Sequence, residues 1–232
     1  MNRLLALMTA LLTSVNATAL RAEQTPVVVE LFTSQGCASC PEADEMLARL
    51  GSRENVIALA LHVDYWDYIG WKDKFALSGF TKRQKGYAHV FDKRMIYTPQ
   101  MVVNGVQEVA GNRPMDVTDL VQAEAAKGLA VPLTIERSGD TLSISAPAEQ
   151  DLADTDVILV RYTPSASVDI PRGENAGKTL AYSHIVTEWS DIGDWNGQSP
   201  LSATVPVSGA SPIVVLVQEK GYGPIRAAAR LR

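Results

Sequence analysis

The sequence predicts an α/β domain followed by an all-β, sandwich-like domain. Two apolar runs near the start are separated by a helical pattern, and a Cys-x-x-Cys pair joins the first run to that helix. Short strand-like runs separated by turns fill the second half. The 232 residues are enough for one large or two small domains. We predict a signal peptide at 1–19, an α/β domain at 20–128 with a helical insertion at 64–97, and a β-sandwich-like domain at 129–232.

Residues 1–19 have the composition of a secretory signal peptide. Arg3 supplies a positive charge, residues 4–12 are apolar but too few to span a bilayer, and Ala17-Thr18-Ala19 fits a small-x-small cleavage site. We therefore predict cleavage after Ala19 and a periplasmic or secreted protein; the alternative is a retained N-terminal anchor. No later apolar run approaches membrane length, so we expect no stable membrane insertion after cleavage.

Composition limits the classes of partner. The formal net charge is −5 at pH 7, and we predict no nucleic-acid binding because such binding requires a basic surface. The chain has two cysteines, Cys37 and Cys40. A scaffold held together by disulfides would carry several pairs, and a bridge that closes so short a loop adds little stability. The pair is therefore predicted to be retained for its chemistry.

The first strand and the first helix are predicted on either side of the cysteines. Residues 27–32 form a short, largely β-branched apolar run that is typical of a strand. The apolar positions after the second cysteine have the spacing of one helix face: Ala43, Met46, Leu47 and Leu50. This pattern places Cys37 at the helix N-terminus, where unpaired N–H groups and the helix dipole stabilise a thiolate.

Cys40 follows Cys37 by one turn and is predicted to lie within disulfide reach of it. In thiol–disulfide exchange one thiolate attacks a disulfide and a second thiol resolves the mixed intermediate. Cys37 is the predicted nucleophile and Cys40 the predicted resolving thiol. A plain disulfide and half of a metal site are the alternatives.

The next elements continue an α/β pattern. Residues 56–63 are a second apolar strand, and two such strands joined by a helix predict a parallel βαβ unit. Within the insertion, helices are predicted at 71–77 and 81–91. Asn104-Gly105 between two apolar runs predicts a two-residue hairpin, and Asp116 is a candidate N-cap for a helix that ends before Gly128. Strands are predicted in the second half at residues 132–137, 141–146, 157–163, 179–189, 203–207, 213–219 and 225–231.

Four segments, ELFTSQGCASCPEAD, HVDYWDYIGW, YTPQMVVNG and RGENAGKTL, together resemble a family of exported thioredoxin-like proteins that is catalogued as a domain of unknown function. The resemblance implies a thioredoxin fold over residues 27–128. It also implies that the Thr98–Pro99 bond is cis, that Pro99 faces the cysteines, and that the backbone of Thr98 can pair with an extended substrate.

Several other residues are candidates for the site. Glu30 lies within an apolar strand and could relay a proton to the second cysteine, or it could be a strand residue bonded to a neighbouring loop. Tyr65 and Trp66 could line an apolar groove for a substrate, or they could plug the core beneath the insertion. His62 ends the second strand and is expected to be a hydrogen-bonded structural residue, the alternative being that it faces the cysteines. The stretch 172–178 lacks the spacing of a phosphate-binding loop and is predicted to be a sandwich loop that could contact the first domain.

The predicted function is thiol–disulfide exchange through Cys37 and Cys40. The expected substrates are thiols or disulfides of exported proteins, the expected partner is a redox partner protein, and no cofactor or metal is expected. The main alternative is a non-catalytic binding or metal-delivery protein whose two thiolates hold a soft ion such as Cu(I). An interaction module without redox activity is a third interpretation.

Overall fold

The computed structural model describes residues 25–232. The predicted signal peptide and its cleavage site lie outside these residues. The structure contains these helices and strands: β1 (Val27–Thr33), α1 (Pro41–Gly51), β2 (Val56–His62), α2 (Ser78–Val90), β3 (Gln100–Val103), β4 (Gln107–Ala110), α3 (Pro114–Lys127), β5 (Thr134–Ser138), β6 (Thr141–Ala146), β7 (Thr155–Ile170), β8 (Lys178–Trp195), β9 (Leu201–Pro206), β10 (Ile213–Glu219) and β11 (Ile225–Leu231). Among the described helices, none combines the length and the apolar character needed to cross a membrane.

The architecture is mixed α/β with two sheets. The larger sheet has eight strands in the order β11-β10-β7-β8-β2-β1-β3-β4, and the smaller sheet has the order β5-β6-β9. β1 pairs in parallel with β2 and antiparallel with β3. Both β1 and β2 are buried along their whole length, which explains why they appear in the sequence as continuous apolar runs.

Each face of the large sheet is covered by different elements. On one face, α2 packs against a core cluster to which β1, β2, β7 and β10 all contribute. On the other face, α1 and α3 cover the β1–β4 half. The small sheet encloses a third cluster with the outward side chains of β7, β10 and β11. The core on the α2 face is therefore continuous from the N-terminal strands to the C-terminal strands.

All seven strands predicted beyond residue 129 are present, but they do not form a separate pair of sheets. β7 and β8 are much longer than predicted, and β8 pairs with β2 at Ala60 and Ile185. Within residues 25–232, only β5, β6 and β9 form a second sheet. A single sheet thus crosses the predicted boundary at residue 129, and the division of the chain into two domains stays a prediction.

Some local expectations are corrected by the structure. Residues 71–77 contain no helix. The insertion has a short 3-10 helix at Asp67–Ile69 and an α-helix that begins at Ser78. α3 begins at Pro114 with Arg113 as its N-cap, because proline needs no donor in the first turn. The hairpin pairs Val103 with Gln107, so its loop has three residues rather than two. Asn104 and Gly105 both have positive φ there, as the turn requires.

Candidate functional site

Cys37 and Cys40 lie in the turn between β1 and α1 and form a disulfide with 5.4 Å between their Cα atoms. The predicted disulfide reach is therefore confirmed. Cys40 is the N-cap of α1, and its carbonyl accepts the N–H groups of Ala43 and Asp44. Cys37 is three residues further out than predicted, and its carbonyl accepts the N–H of Cys40 at 3.3 Å. The N-terminus of α1 is thus at Cys40 rather than at Cys37.

The disulfide is covered although it lies in a surface turn. Cys37 is 1% exposed and Cys40 is 0% exposed, whereas Ala38 and Ser39 between them are exposed. The Ser39 hydroxyl lies 3.5 Å from the Cys37 sulfur. The tip of the turn therefore faces solvent while both sulfur-bearing residues are buried.

The Thr98–Pro99 peptide bond is cis, as predicted. Pro99 is buried, and its carbonyl accepts the N–H of Gly111 at 2.9 Å. A Cβ added at Gly111 would lie 3.0 Å from the Ala43 Cβ and 3.1 Å from the Pro99 Cβ. Ala43, in the first turn of α1, and Pro99 therefore both pack against the side of Gly111 that carries no side chain. This contact brings the proline close to the helix that begins after Cys40.

Trp66 connects the proline segment with the turn that carries the cysteines. Its Nε1 donates a hydrogen bond to the Thr98 hydroxyl at 2.8 Å, and its Cβ lies 3.1 Å from the position a Cβ on Gly36 would take. Tyr65 and Trp66 are both half-buried and pack against the core on the α2 face. Burial raises the pKa of Tyr65 to about 12. These contacts suit the core-plug interpretation, and a role in substrate binding stays a prediction.

Glu30 lies on the face of the sheet opposite α1. Its neighbours Val28 and Phe32, two residues away on the same side of β1, belong to the core covered by α2. Its carboxylate accepts hydrogen bonds from Arg83 at 2.6 and 2.8 Å and from the Tyr87 hydroxyl at 2.8 Å. The geometry supports a structural role for Glu30, bonded to a helix rather than to a loop, and offers no path from it to the cysteines.

Asp44, which the sequence did not single out, is a buried acid on the same side of the sheet as the cysteines. It follows Cys40 by one helix turn, so the two residues lie on the same face of α1. The Thr33 hydroxyl donates to its carboxyl group at 3.2 Å. Burial raises the pKa of Asp44 to about 7, although the nearby His62 and the Thr33 hydrogen bond act in the opposite direction. A carboxyl group with this pKa can both hold and release a proton near neutral pH.

His62 and Asp73 form a buried pair beside Asp44. His62 Nδ1 lies 2.7 Å from Asp73 Oδ2, which also accepts the backbone N–H of Gln35 at 2.8 Å. His62 is therefore hydrogen-bonded, as expected, but its Nε2 is buried without a hydrogen-bond partner. Asp73 connects the histidine to the turn that leads into Cys37, so the pair holds that turn in place.

The hairpin tip between β7 and β8 covers the cysteine turn. The Asn175 side-chain amide donates to the carbonyls of Gln35 at 3.0 Å and Cys37 at 2.9 Å. Glu174 accepts the N–H of Ala38 at 3.2 Å. Residues 172–178 therefore form a loop that hydrogen-bonds to the backbone of Cys37 and Ala38. A contact between this loop and the N-terminal part of the chain is the possibility that the sequence analysis left open.

Asp44→Asn is expected to make stability less dependent on pH. Because its folded pKa is about 7 against an ordinary value of 3.8, the unfolded chain loses this proton first as pH rises. The free energy of unfolding therefore falls as pH rises from about 4 to about 7. Above pH 7 the fold bears the full cost of an ionised Asp44 carboxylate in a buried position. At pH 8 the amide should stabilise the fold by roughly 2 kcal/mol, part of the gain being lost to its unpaired N–H groups.

Urea unfolding of Asp44→Asn and of Glu45→Gln at pH 4 and pH 8 measures this effect. Glu45 is the exposed acid of the same helix turn, with a side chain 73% exposed, and its substitution should change stability little at either pH. An Asp44→Asn variant that gains nothing at pH 8 would show that the carboxyl is already ionised at little cost.

The sequence contains only weak indications that Asp44, Asp73 and Asn175 belong to the site. Asp44 appeared in the sequence as one of several acids in the first turns of a helix, and its i+4 spacing from Cys40 was the available sign. Asp73 and Asn175 lie 36 and 138 residues from Cys37, so no local pattern connects them to it. The structure brings together Cys37, Cys40, Thr98, Pro99 and Trp66, and it leaves Glu30 on the other side of the sheet.

Comparisons with known proteins give a family but no activity. A family model described as "Protein of unknown function (DUF1223)" matches residues 28–218. The crystal structure of a structural-genomics target protein from Agrobacterium tumefaciens is similar, with 35% identity, a TM-score of 0.78, and coverage of 90% of this chain and 95% of that one. HBP35 of Porphyromonas gingivalis resembles the fold, with 14% identity, a TM-score of 0.63, and coverage of 90% and 75%. No curated protein matches.

Proposed function

We propose that this chain, which belongs to the family described as protein of unknown function (DUF1223), is a thiol–disulfide exchange protein that acts through Cys37 and Cys40. Its substrates are thiols or disulfides of exported proteins, and it works in the periplasm or as a secreted protein. The observation that carries the proposal is the Cys37–Cys40 disulfide at the start of α1, beside a buried acid and a cis-proline segment.

We further propose that residues 25–128 are a thioredoxin-like unit. The arrangement of β1 between parallel β2 and antiparallel β3 supports this, as does the position of the cis Thr98–Pro99 bond directly before β3. A proline at the first position of a strand removes no donor from the interior of the ladder. The backbone of Thr98 is then the proposed pairing site for an extended substrate.

The exchange reaction is written for the oxidised protein. A substrate thiolate attacks the Cys37 sulfur, the Cys37–Cys40 bond breaks, and Cys40 leaves as a thiolate. A second substrate thiolate attacks the mixed disulfide, forms the substrate disulfide and releases Cys37 as a thiolate. Two electrons thereby pass from the substrate to the protein. The reverse sequence, with the same two sulfurs, oxidises the protein and reduces the substrate.

Asp44 is the proposed proton donor and acceptor for Cys40. Its neutral carboxyl gives a proton to the Cys40 thiolate as the disulfide opens, and its carboxylate takes that proton back as the disulfide forms. With a pKa of about 7, both forms are populated at neutral pH. His62 and Asp73 position the turn and contribute to the electrostatics around Asp44.

The two cysteines are expected to behave differently in a trapping experiment. Cys40→Ser should accumulate mixed disulfides through Cys37, because the attacking thiolate remains and the resolving thiol is gone. Cys37→Ser should accumulate none through Cys40. Both variants are reduced, incubated with oxidised glutathione and an oxidised protein substrate, and analysed by mass spectrometry.

A redox titration tests the function itself. In glutathione buffers of defined ratio, the wild-type pair should show a reversible two-electron equilibrium. A pair that cannot be reduced reversibly would mean that the disulfide is structural. Tight Cu(I) binding by the reduced protein without any exchange activity would support metal delivery instead.

A further inference from the structure

We propose that the hairpin tip at residues 171–177 is a strap that keeps the Cys37–Cys40 disulfide closed, and that Asn175 is the latch that holds it. This inference rests on the proposed function, since it concerns access to the same two sulfurs. In the closed state the disulfide resists attack; in the open state Cys37 is reachable.

The burial and the hydrogen bonds of Asn175 support its role as the residue that holds the strap in place. It is fully buried although it lies in a loop. Both hydrogens of its amide nitrogen are used, one on the Gln35 carbonyl and one on the Cys37 carbonyl, and its Oδ1 accepts from Lys178 Nζ at 2.9 Å. A single side chain thus connects the strap to the main-chain carbonyls on both sides of Gly36.

Two further contacts hold the strap. Glu174 accepts the Ala38 N–H, which lies between the two cysteines. Gly173 has a φ of +82°, and a Cβ added there would lie 3.4 Å from the Trp71 Cβ. Trp71 in turn donates from Nε1 to the Gln35 side-chain oxygen at 2.8 Å. The strap therefore reaches from Trp71, across Gln35 and Cys37, to Ala38.

The closed strap has a direct chemical consequence. Thiol–disulfide exchange requires the attacking thiolate to reach a sulfur atom, so access contributes to its rate. Because Cys37 and Cys40 are 1% and 0% exposed, the closed state denies that access even though Ala38 and Ser39 face solvent. Exchange must follow a movement that releases Cys37.

The strap lies outside the strand pairing of the large sheet, so it can move without breaking that pairing. The ladder between β7 and β8 ends at the pair Ile170 and Lys178, so the residues between them carry no strand pairing. Arg172, Glu174 and Gly177 are exposed, and polar contacts hold the tip against the cysteine turn. Loops with few buried apolar contacts open at a low free-energy cost.

The test compares the reduction rates of two matched variants at pH 8. Asn175→Asp preserves shape but replaces an amide donor with a carboxylate that repels the two carbonyls. Asn196→Asp makes the same change in an exposed turn beyond the other end of β8. Each protein is treated with tris(2-carboxyethyl)phosphine, and free thiols are counted by alkylation and mass spectrometry over time.

Asn175→Asp should be reduced at least about tenfold faster than wild type, because losing two hydrogen bonds shifts the opening equilibrium by that order. Asn196→Asp should stay within about twofold, as expected for an exposed site. Thermal unfolding confirms that each variant is folded at the assay temperature. If Asn175→Asp does not fold, Glu174→Ala takes its place, with a smaller increase expected.

If the Asn175→Asp protein is folded but is reduced at the wild-type rate or more slowly, the proposal that residues 171–177 control access to the disulfide is wrong. Failure of the proposed function appears differently: the redox titration would show no reversible equilibrium while the strap variants still changed the phosphine reduction rate. The two proposals are thus tested by separate measurements on the same full chain.

Discussion

Arg83→Met should lower the free energy of unfolding by about 3–5 kcal/mol, because it leaves the buried carboxylate of Glu30 without its cation. The Glu30 side chain is fully buried and the Arg83 side chain is 7% exposed. Arg83 also donates to the Tyr87 hydroxyl and to the Gln218 side-chain oxygen, both at 2.8 Å, and its guanidinium lies 4.1 Å from the Trp189 ring centroid. One substitution therefore disrupts contacts with β1, α2, β8 and β10.

Urea unfolding of Arg83→Met beside Arg49→Met measures the difference. Arg49 forms an ion pair with Glu45 at 3.8 Å whose side chains are 63% and 73% exposed, and such surface pairs contribute about 0–1 kcal/mol. The double variant Glu30→Gln/Arg83→Met should recover part of the loss because the unpaired charge is gone. Equal effects of the two single methionine substitutions would contradict the assignment of Glu30 and Arg83 as a structural pair.

Residues 25–128 expressed alone should not fold cooperatively. Removing the remainder takes β8 from the edge of β2 and removes the β7 and β10 side chains from the core under α2. It also removes Gln218 from the Glu30 network and the hydrogen bond between the Ile225 N–H and the Asn104 carbonyl. An exposed strand edge beside an open apolar face favours aggregation.

The comparison is with residues 25–232, which contain every described element and should show one cooperative thermal transition. Solubility, circular dichroism and thermal melts of the two proteins show whether residues 25–128 fold cooperatively without the rest of the chain. A soluble 25–128 fragment with a cooperative melt and reversible Cys37/Cys40 chemistry would instead establish an independent N-terminal domain. It would also make the C-terminal strands an accessory to the redox site.

The sequence alone determined the elements around the cysteines and most of the strands. β1, β2, α1 and the seven later strands were predictable because each shows a local pattern of apolar residues. In β1 and β2 this pattern is a continuous apolar run, and in α1 it is the spacing of one helix face. Cys37 and Cys40 could be named from their short spacing, and Pro99 from the resemblance to exported thioredoxin-like proteins. Helix starts were less predictable, because Pro41 and Pro114 set them more strongly than the nearby acids did.

Only the tertiary structure decided which residues meet. Glu30 appears in the sequence as a charged residue on a buried strand, but its partner Arg83 lies 53 positions away and on the opposite face from the cysteines. Asp44 acquires a pKa of about 7 only because packing removes it from water. Asn175 reaches Cys37 across 138 positions because β7 and β8 extend past the sheet. A burial pattern specifies which face of an element is covered but not what covers it, since the partner is chosen by long-range packing.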